Sequence, residues 1–394
     1  MQNLLLLLSF FLMQFTSDAS QGHSGNQPAI ETGAEQPSLY LPLLAGKRVG
    51  LTGNHTAVKG KIHLLDFLLQ EKINVTMVFA PEHGFRGEAS PGEKIQDGKD
   101  TETGVPIVSL YGQNRKPSTE IMKNLDIMVF DMQDVGTRFY TFLSTLYYII
   151  ESCAENNIPL VVLDRPNPNG DYVAGPVLRE GYSSFVGIVP VPVVHGCTFG
   201  EMAAMINGER WTKATNPCKI TVIKVKNYTH TSEYQPPIPP SPNLPNYQSV
   251  RLYPSLCFFE ATSVSIGRGT SFPFQVIGGA LPSLGSFQFT PKDIPGFVNN
   301  PVNEGKICYG IDLRKIRPVP EFTLQYFLQF YKMYQVEKDF LTGERWLNLL
   351  SGSDQLIKGI REGKTEEQLT ASWQSELDQY KVIRKKYLLY PDFE

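Results

Sequence analysis

The chain has 394 residues, a net charge of −3, 41% hydrophobic residues and 19% charged residues. That length accommodates two domains of ordinary size, and the composition is that of a globular protein. No excess of Lys and Arg builds the positive field that holds a polynucleotide, so no nucleic-acid partner is expected.

The chain opens on an apolar run from Leu4 to Met13. A membrane span needs about 20 apolar residues, so the run is too short to cross a bilayer and suits the apolar region of a secretory signal peptide. Ser17-Asp18-Ala19 fits the small-x-small cleavage rule, which predicts removal at Ala19. No Lys or Arg precedes the run, and a disordered tail is the competing reading. Cleavage would leave an exported chain, periplasmic or extracellular, with no membrane span. Residues 20–40 are rich in Gln, Ser, Gly and Glu and read as a flexible leader. Cys153, Cys197, Cys218, Cys257 and Cys308 show neither C-x-x-C nor zinc-knuckle spacing. An odd number cannot all pair, so buried thiols are expected, with one or two disulfides at most.

A rhythm of strands and helices follows. Strands are expected over 48–52, 74–80, 106–111, 125–131, 159–164, 191–195 and 220–225. Helices are expected over 62–69, 118–123, 141–156 and 199–207. This alternation argues for a parallel sheet with helices on both faces. Val129-Phe130 and Val161-Val162-Leu163 are apolar enough for strands buried on both sides. The fold class is therefore α/β, with a Rossmann-like domain over 41–235. Thr52-Gly-Asn-His55 stands where a G-x-G-x-x-G fingerprint would, so no dinucleotide and no other cofactor is expected. A proline-rich segment from Gln235 to Pro245 forbids helix and central strand. It reads as an interdomain connection or as a stiff segment across a cleft. Beyond it the rhythm weakens, with helices expected over 323–336 and 366–387. A second, smaller α+β domain is expected over 236–394.

Parallel sheets bind ligands beyond the carboxyl ends of their strands. Polar residues gather there. Asn54 and His55 follow the first strand; Glu82, His83 and Arg86 follow the second; Tyr111 ends the third. Asp131, Gln133, Asp134 and Arg138 follow the fourth, Asp164, Arg165 and Asn167 the fifth, and His195 ends the sixth. Each has a bland alternative. Glu82, just past a buried strand, suits general-acid work, yet Glu82 or Glu88 could merely pair with Arg86 on a turn. Asp131 and Asp134 could bind a cation, orient a hydroxyl or activate water, and Asp134 could simply cap the next helix. Arg138 could grip a carboxylate or pair with Asp131. Glu151, inside the helix over 141–156, is either exposed at a boundary or functional. His195 could meet a ligand or be structural, and Cys197 beside it hints only faintly at a thiol nucleophile. His55, His83 and His195 lack metal-ligand spacing, so no metal is expected.

The ordered set of segments resembles one family. They are Val49-Gly-Leu-Thr-Gly-Asn54, Phe79-Ala-Pro-Glu-His-Gly-Phe-Arg-Gly87, Tyr111-Gly112, and Asp131-Met-Gln-Asp-Val-Gly-Thr-Arg-Phe-Tyr-Thr141. Leu163-Asp-Arg-Pro-Asn-Pro168, Pro192-Val-Val-His-Gly196, Ser241-Pro-Asn-Leu-Pro245 and Ser265-Ile-Gly-Arg-Gly-Thr270 complete it. Each is weak alone, but together they are similar to the NamZ-like exo-β-N-acetylmuramidases, also known as DUF1343. The resemblance implies release of terminal N-acetylmuramic acid from the non-reducing ends of peptidoglycan fragments, in a cleft between the two domains. It places the catalytic carboxylate on Glu82 and, less securely, a second on Glu151. The implied partner is a peptidoglycan-derived saccharide or muropeptide. Its lactyl carboxylate calls for an arginine, with Arg86, Arg138 and Arg268 as candidates. Tyr111 and Tyr140 would stack on sugar faces. The 2-acetamido group could itself assist the attack. Two other readings stay open: a non-catalytic sugar-binding protein, and a metal-dependent hydrolase built on Asp131, Asp134 and His195.

Overall fold

The computed structural model describes residues 28–82, 84–86, 97–112, 114–295, 297–317, 319, 321–334 and 336–394. The signal-peptide segment, His83 and Glu88 lie outside these residues.

The expected parallel sheet is present. Its strands are β1 (Val49–Gly53), β2 (Val75–Ala80), β3 (Gly98–Lys99), β4 (Pro106–Ser109), β5 (Ile127–Asp131), β6 (Leu160–Leu163) and β7 (Ile220–Ile223). Their order across the sheet is β7-β6-β5-β1-β2-β4-β3. Neighbours run parallel except β3, which closes one edge antiparallel to β4.

Successive side chains of a strand point to opposite faces, and the sequence serves both. Met128, Phe130, Leu160 and Val162 enter one apolar core with Leu143, Leu146 and Ile150 of α2 (Phe142–Glu155) and Met202 and Ile206 of α3 (Phe199–Gly208). Val49, Leu51, Val129, Val161 and Leu163 enter the other with Leu64, Leu65 and Leu68 of α1 (Leu64–Gln70). The helix expected from Ile62 begins two residues later. Ile62–His63 instead pairs with Val58–Lys59, and the His63 ring accepts a hydrogen bond from the Leu65 amide.

One expected strand belongs elsewhere. Pro192–Val194, which leads to His195, pairs antiparallel with Ala174–Val177 in a separate ribbon. A short apolar run reads the same in either setting, so periodicity alone could not distinguish them. Residues 28–40, assigned by composition to a leader, are built in. Glu31 bridges to Lys226, Gly33–Glu35 forms a short 3-10 turn, and Pro37–Leu44 is helical with Tyr40 and Leu44 buried. All five cysteines are buried and free.

The C-terminal part is α+β. It carries a small antiparallel sheet of β8 (Val276–Gly279), β9 (Phe287–Phe289) and β10 (Cys308–Asp312), with β10 central. Around it lie α4 (Tyr247–Leu256), α5 (Gln325–Met333), α6 (Glu344–Ser351) and the long α7 (Glu366–Lys385). Its apolar core, with Phe258, Phe259, Phe327, Phe330 and Phe340, is continuous with the α2 face of the first domain. The end of the chain is stitched back onto the N-terminal half. Tyr380 donates to the His195 carbonyl, Arg384 donates to the Gly196 carbonyl, and Tyr390 donates to Asp164.

Asp164, at the end of β6, is fully buried where the N-terminus of α3 points at it. It accepts from the Thr198 hydroxyl at 2.7 Å, the Gly200 amide at 2.8 Å and the Tyr390 phenol. Burial pushes its carboxyl up to about 6 from an ordinary value of 3.8, against the pull of those donors. A carboxyl raised in this way holds a proton in the folded chain that the unfolded chain has already released. The stability it lends is complete below about pH 3.8 and is lost as pH rises through about 6. The urea-unfolding midpoint should therefore fall between those limits, and Asp164→Asn should flatten that part of the profile.

Candidate active site

The loops at the carboxyl edge of β2, β4 and β5 meet the C-terminal domain around a cleft of about 840 Å³. Glu82, Tyr111, Tyr140 and Thr141 form part of its wall, and Glu260, Arg268 and Phe274 line it from the C-terminal domain. Aromatic side chains are prominent in the lining: Phe139, Tyr253 and Phe259 join those already named. Tyr140 packs edge-on against Phe142 and Tyr253, and its hydroxyl donates to the Pro240 carbonyl at 2.7 Å. The proline-rich segment thus borders the cleft, to which it contributes Ser241, Asn243 and Leu244.

Glu82 is half-buried, two residues past β2. Its Oε2 accepts from the Thr141 hydroxyl at 2.7 Å. Thr141 is the residue that opens α2, so the helix start fixes the carboxylate. The Tyr111 phenol is raised above its ordinary range by burial first, then by the charge of the nearby Glu82 carboxylate. It therefore stays a neutral donor.

On the other side, Arg268 pairs with Glu260 and lies over the Phe274 ring at 5.0 Å. Burial pulls its guanidinium down, and the Glu260 charge and hydrogen bond more than offset that pull. Gly267 and Gly269 flank it with φ of +81° and +80°. A Cβ at Gly269 would stand 2.5 Å from the Lys292 carbonyl oxygen, so the Gly-Arg-Gly turn cannot be built otherwise.

Of the residues singled out in the sequence, the cleft unites Glu82, Tyr111, Tyr140 and Arg268. Most of the rest lie in a polar layer that is buried and does not line it. Asp131 is paired with Arg165, not with Arg138, and both partners are buried. Asn54 accepts from the Thr56 amide and hydroxyl, and that hydroxyl accepts from the Gln133 amide at 3.0 Å. Gln133 in turn donates to the Asp134 and Pro166 carbonyls. Asp134 faces His195 at 3.3 Å and caps no helix, since Thr141 holds that position. His195 is itself fully buried and accepts from the Cys197 amide. Burial pushes the Cys197 thiol up to about 12, so it is no nucleophile. Arg138 is fully buried and donates to the Pro176, Val191 and Leu350 carbonyls, which leaves it no reach to a substrate.

Two further residues stand outside the cleft lining. Arg86 is held by Asp66 and Asp100 rather than by Glu82. Glu151 takes Lys116 on one oxygen and the Lys213 amide on the other, both at 2.8 Å. It lies nine residues along α2 from Phe142, a rise of about 14 Å. This is the geometry of an internal ion pair. Neither Asp131 nor His195 belongs to a metal-ligand set, because no group of three or more His, Cys, Asp or Glu side chains suited to a metal occurs among the described residues.

Among the cleft residues not singled out in the sequence are Thr141, Glu260 and Arg115. Glu260 stands eight positions before Arg268, and that spacing of opposite charges ahead of a Gly-Arg-Gly turn was the available signal.

Comparison with known proteins fixes the relationship. The N-terminal domain profile of exo-β-N-acetylmuramidase NamZ matches residues 49–248, and its C-terminal profile matches 251–390. This chain belongs to the NamZ family. The peptidoglycan β-N-acetylmuramidase NamZ of Bacillus subtilis (strain 168) is 35% identical, over 95% of this chain and 94% of that protein. Two crystal structures of DUF1343 family proteins from Bacteroides fragilis NCTC 9343 share the fold. One has a TM-score of 0.85 at 44% identity, covering 93% of this chain and all of that one. The other has a TM-score of 0.80 at 30% identity, covering 92% of this chain and all of that one. Family membership makes this NamZ-family chain a glycoside hydrolase.

The placement of Glu151 has a direct consequence. Glu151→Gln should lower stability by about 1–3 kcal/mol, as expected for loss of a buried charge-assisted contact. Its kcat on a glycoside substrate should equal that of the wild type, as read by denaturant unfolding alongside steady-state kinetics.

Proposed function

We propose that the protein is an exo-acting β-N-acetylmuramidase that releases terminal N-acetylmuramic acid from the non-reducing end of peptidoglycan fragments, with Glu82 as its general acid. The observation that carries this reading is the Glu82 carboxylate, held by the Thr141 hydroxyl at 2.7 Å and lining, with Tyr111, a cleft rich in aromatic side chains in a NamZ-family chain. Glycosidases protonate the leaving oxygen with one carboxylic acid and use a second group to attack or to activate water. In this reading Glu82 delivers its proton to the glycosidic oxygen as the bond to the anomeric carbon breaks. Water then adds its hydroxyl to that carbon and returns the proton to Glu82.

Glu82 and Glu260 are the two carboxylates among the described residues of the cleft. Glu260, as the anionic partner of Arg268, suits electrostatic stabilisation of the positive charge that develops on the sugar ring. The substrate's own 2-acetamido group can form the new bond at the anomeric carbon in place of a protein nucleophile. The cleft volume falls within the range of about 300–1,000 Å³ typical of small-ligand pockets, which suits a terminal sugar better than a long glycan strand. Tyr111 offers an apolar surface on which a pyranose ring packs, while Tyr140, buried against Phe142 and Tyr253, shapes the wall behind it.

Incubation with a defined muramyl-β-1,4-glucosamine disaccharide should yield free N-acetylmuramic acid and N-acetylglucosamine by chromatography. Glu82→Gln should keep its melting temperature and lose about 10²- to 10⁴-fold in kcat, the range for removal of a general acid. An unaltered disaccharide, or full activity in a folded Glu82→Gln protein, would count against the reading. We also propose export, on the strength of the apolar run and of Ser17-Asp18-Ala19. N-terminal sequencing of the protein recovered from its native compartment should then begin at Ser20.

A further inference from the structure

N-acetylmuramic acid differs from N-acetylglucosamine by a lactyl ether that ends in a carboxylate. A site that prefers the first sugar needs a cation with hydrogen-bonding capacity to spare. Arg115 and Arg268 are the cations among the described residues of the cleft. Arg268 is committed to Glu260. Arg86 and Arg138 are committed elsewhere and do not line the cleft.

Arg115 is different. Its Nε donates to the Gly112 carbonyl at 3.2 Å, and its guanidinium lies 4.6 Å above the Phe185 ring. Phe185 is held edge-on by Tyr111 and stacked by Tyr148, so the platform is itself fixed. The next residue, Lys116, takes up Glu151 and Glu155, and no carboxylate among the described residues pairs with Arg115. Its two terminal amino groups donate to no protein acceptor among those residues. The charge of Arg115 also reaches the Tyr111 phenol, which feels Glu82 as well. Arg115, Tyr111 and Glu82 therefore share one end of the cleft.

We infer that Arg115 is a specificity-determining residue, whose guanidinium fork receives the lactyl carboxylate of the terminal sugar while Glu82 addresses the glycosidic oxygen. The inference rests on the muramidase reading and deepens it. A planar guanidinium binds a carboxylate through two parallel N–H···O bonds, and stacking on Phe185 fixes its orientation before the ligand arrives. The loss of conformational freedom on binding is correspondingly small.

Calorimetric titration with N-acetylmuramic acid and with N-acetylglucosamine tests this directly. The wild type should bind the muramic sugar more tightly. Arg115→Gln should weaken that binding by about 10- to 100-fold, as for loss of a hydrogen-bonded charge, and leave N-acetylglucosamine binding unchanged. Arg115→Lys should fall between, since it keeps the charge and loses the fork. On 4-nitrophenyl β-N-acetylmuramide the Gln variant should show a raised KM at a kcat close to wild type, the mark of lost ground-state binding. A preference for N-acetylmuramic acid retained in a folded Arg115→Gln protein, or equal losses for both sugars, would overturn this inference alone. A wild type with no such preference would overturn the muramidase reading and this inference with it.

Discussion

The buried pairing of Asp131 with Arg165 governs where this protein can do chemistry. In a doubly wound sheet the crevice at the switch point, between the first strand and the strand that starts the second half, is the usual ligand seat. Here that crevice lies between β1 and β5, and it is filled. Arg165 reaches across it to Asp131 at the end of β5 and to the Val58 carbonyl beyond β1. Both charges are out of water, so each needs the other. With the usual seat occupied, the open space is displaced toward β2 and β4, where Glu82 and Tyr111 emerge, and its far wall comes from the C-terminal domain.

The displaced site stands on a rigid polar floor. Asn54, Thr56, Gln133 and Asn167 are linked to one another or to the surrounding backbone by hydrogen bonds under the loops. Arg138 ties three carbonyls from separate segments, the last of them in α6 of the other domain. A network of this kind is costly to disturb and holds the backbone from which Glu82 and Tyr111 project into the cleft. Many of the polar residues at the sheet edge are thus structural support beneath the cleft and do not line it.

The sheet was legible because nearly every one of its strands is a compact apolar run, α2 because its apolar pattern is strong, and α3 because Thr198 caps it. The ribbon that carries Pro192–Val194 was not, since three apolar residues fit either sheet equally well. In the site, the Glu-His-Gly turn and the Gly-Arg-Gly turn stood out by their composition. Which polar groups face the cleft and which face each other is decided by pairing across long sequence distances. Asp131 meets Arg165 and Glu151 meets Lys116, contacts that no local spacing announces. Arg115 was overlooked for the complementary reason: an exposed arginine on a loop looks unremarkable until its platform, Phe185, is brought beneath it from seventy positions away.

The return of the chain end to the first domain sets an order on biosynthesis. Asp164 at the end of β6 receives one of its donors from Tyr390, and the Gly196 carbonyl receives Arg384, which Asp392 holds in place. The N-terminal half therefore cannot reach its final hydrogen-bonded state before residues 384–392 have been synthesised and have left the ribosome. Completion of the sheet's polar edge waits for those residues, so a nascent chain that has made the whole sheet but not this segment is still short of its native state.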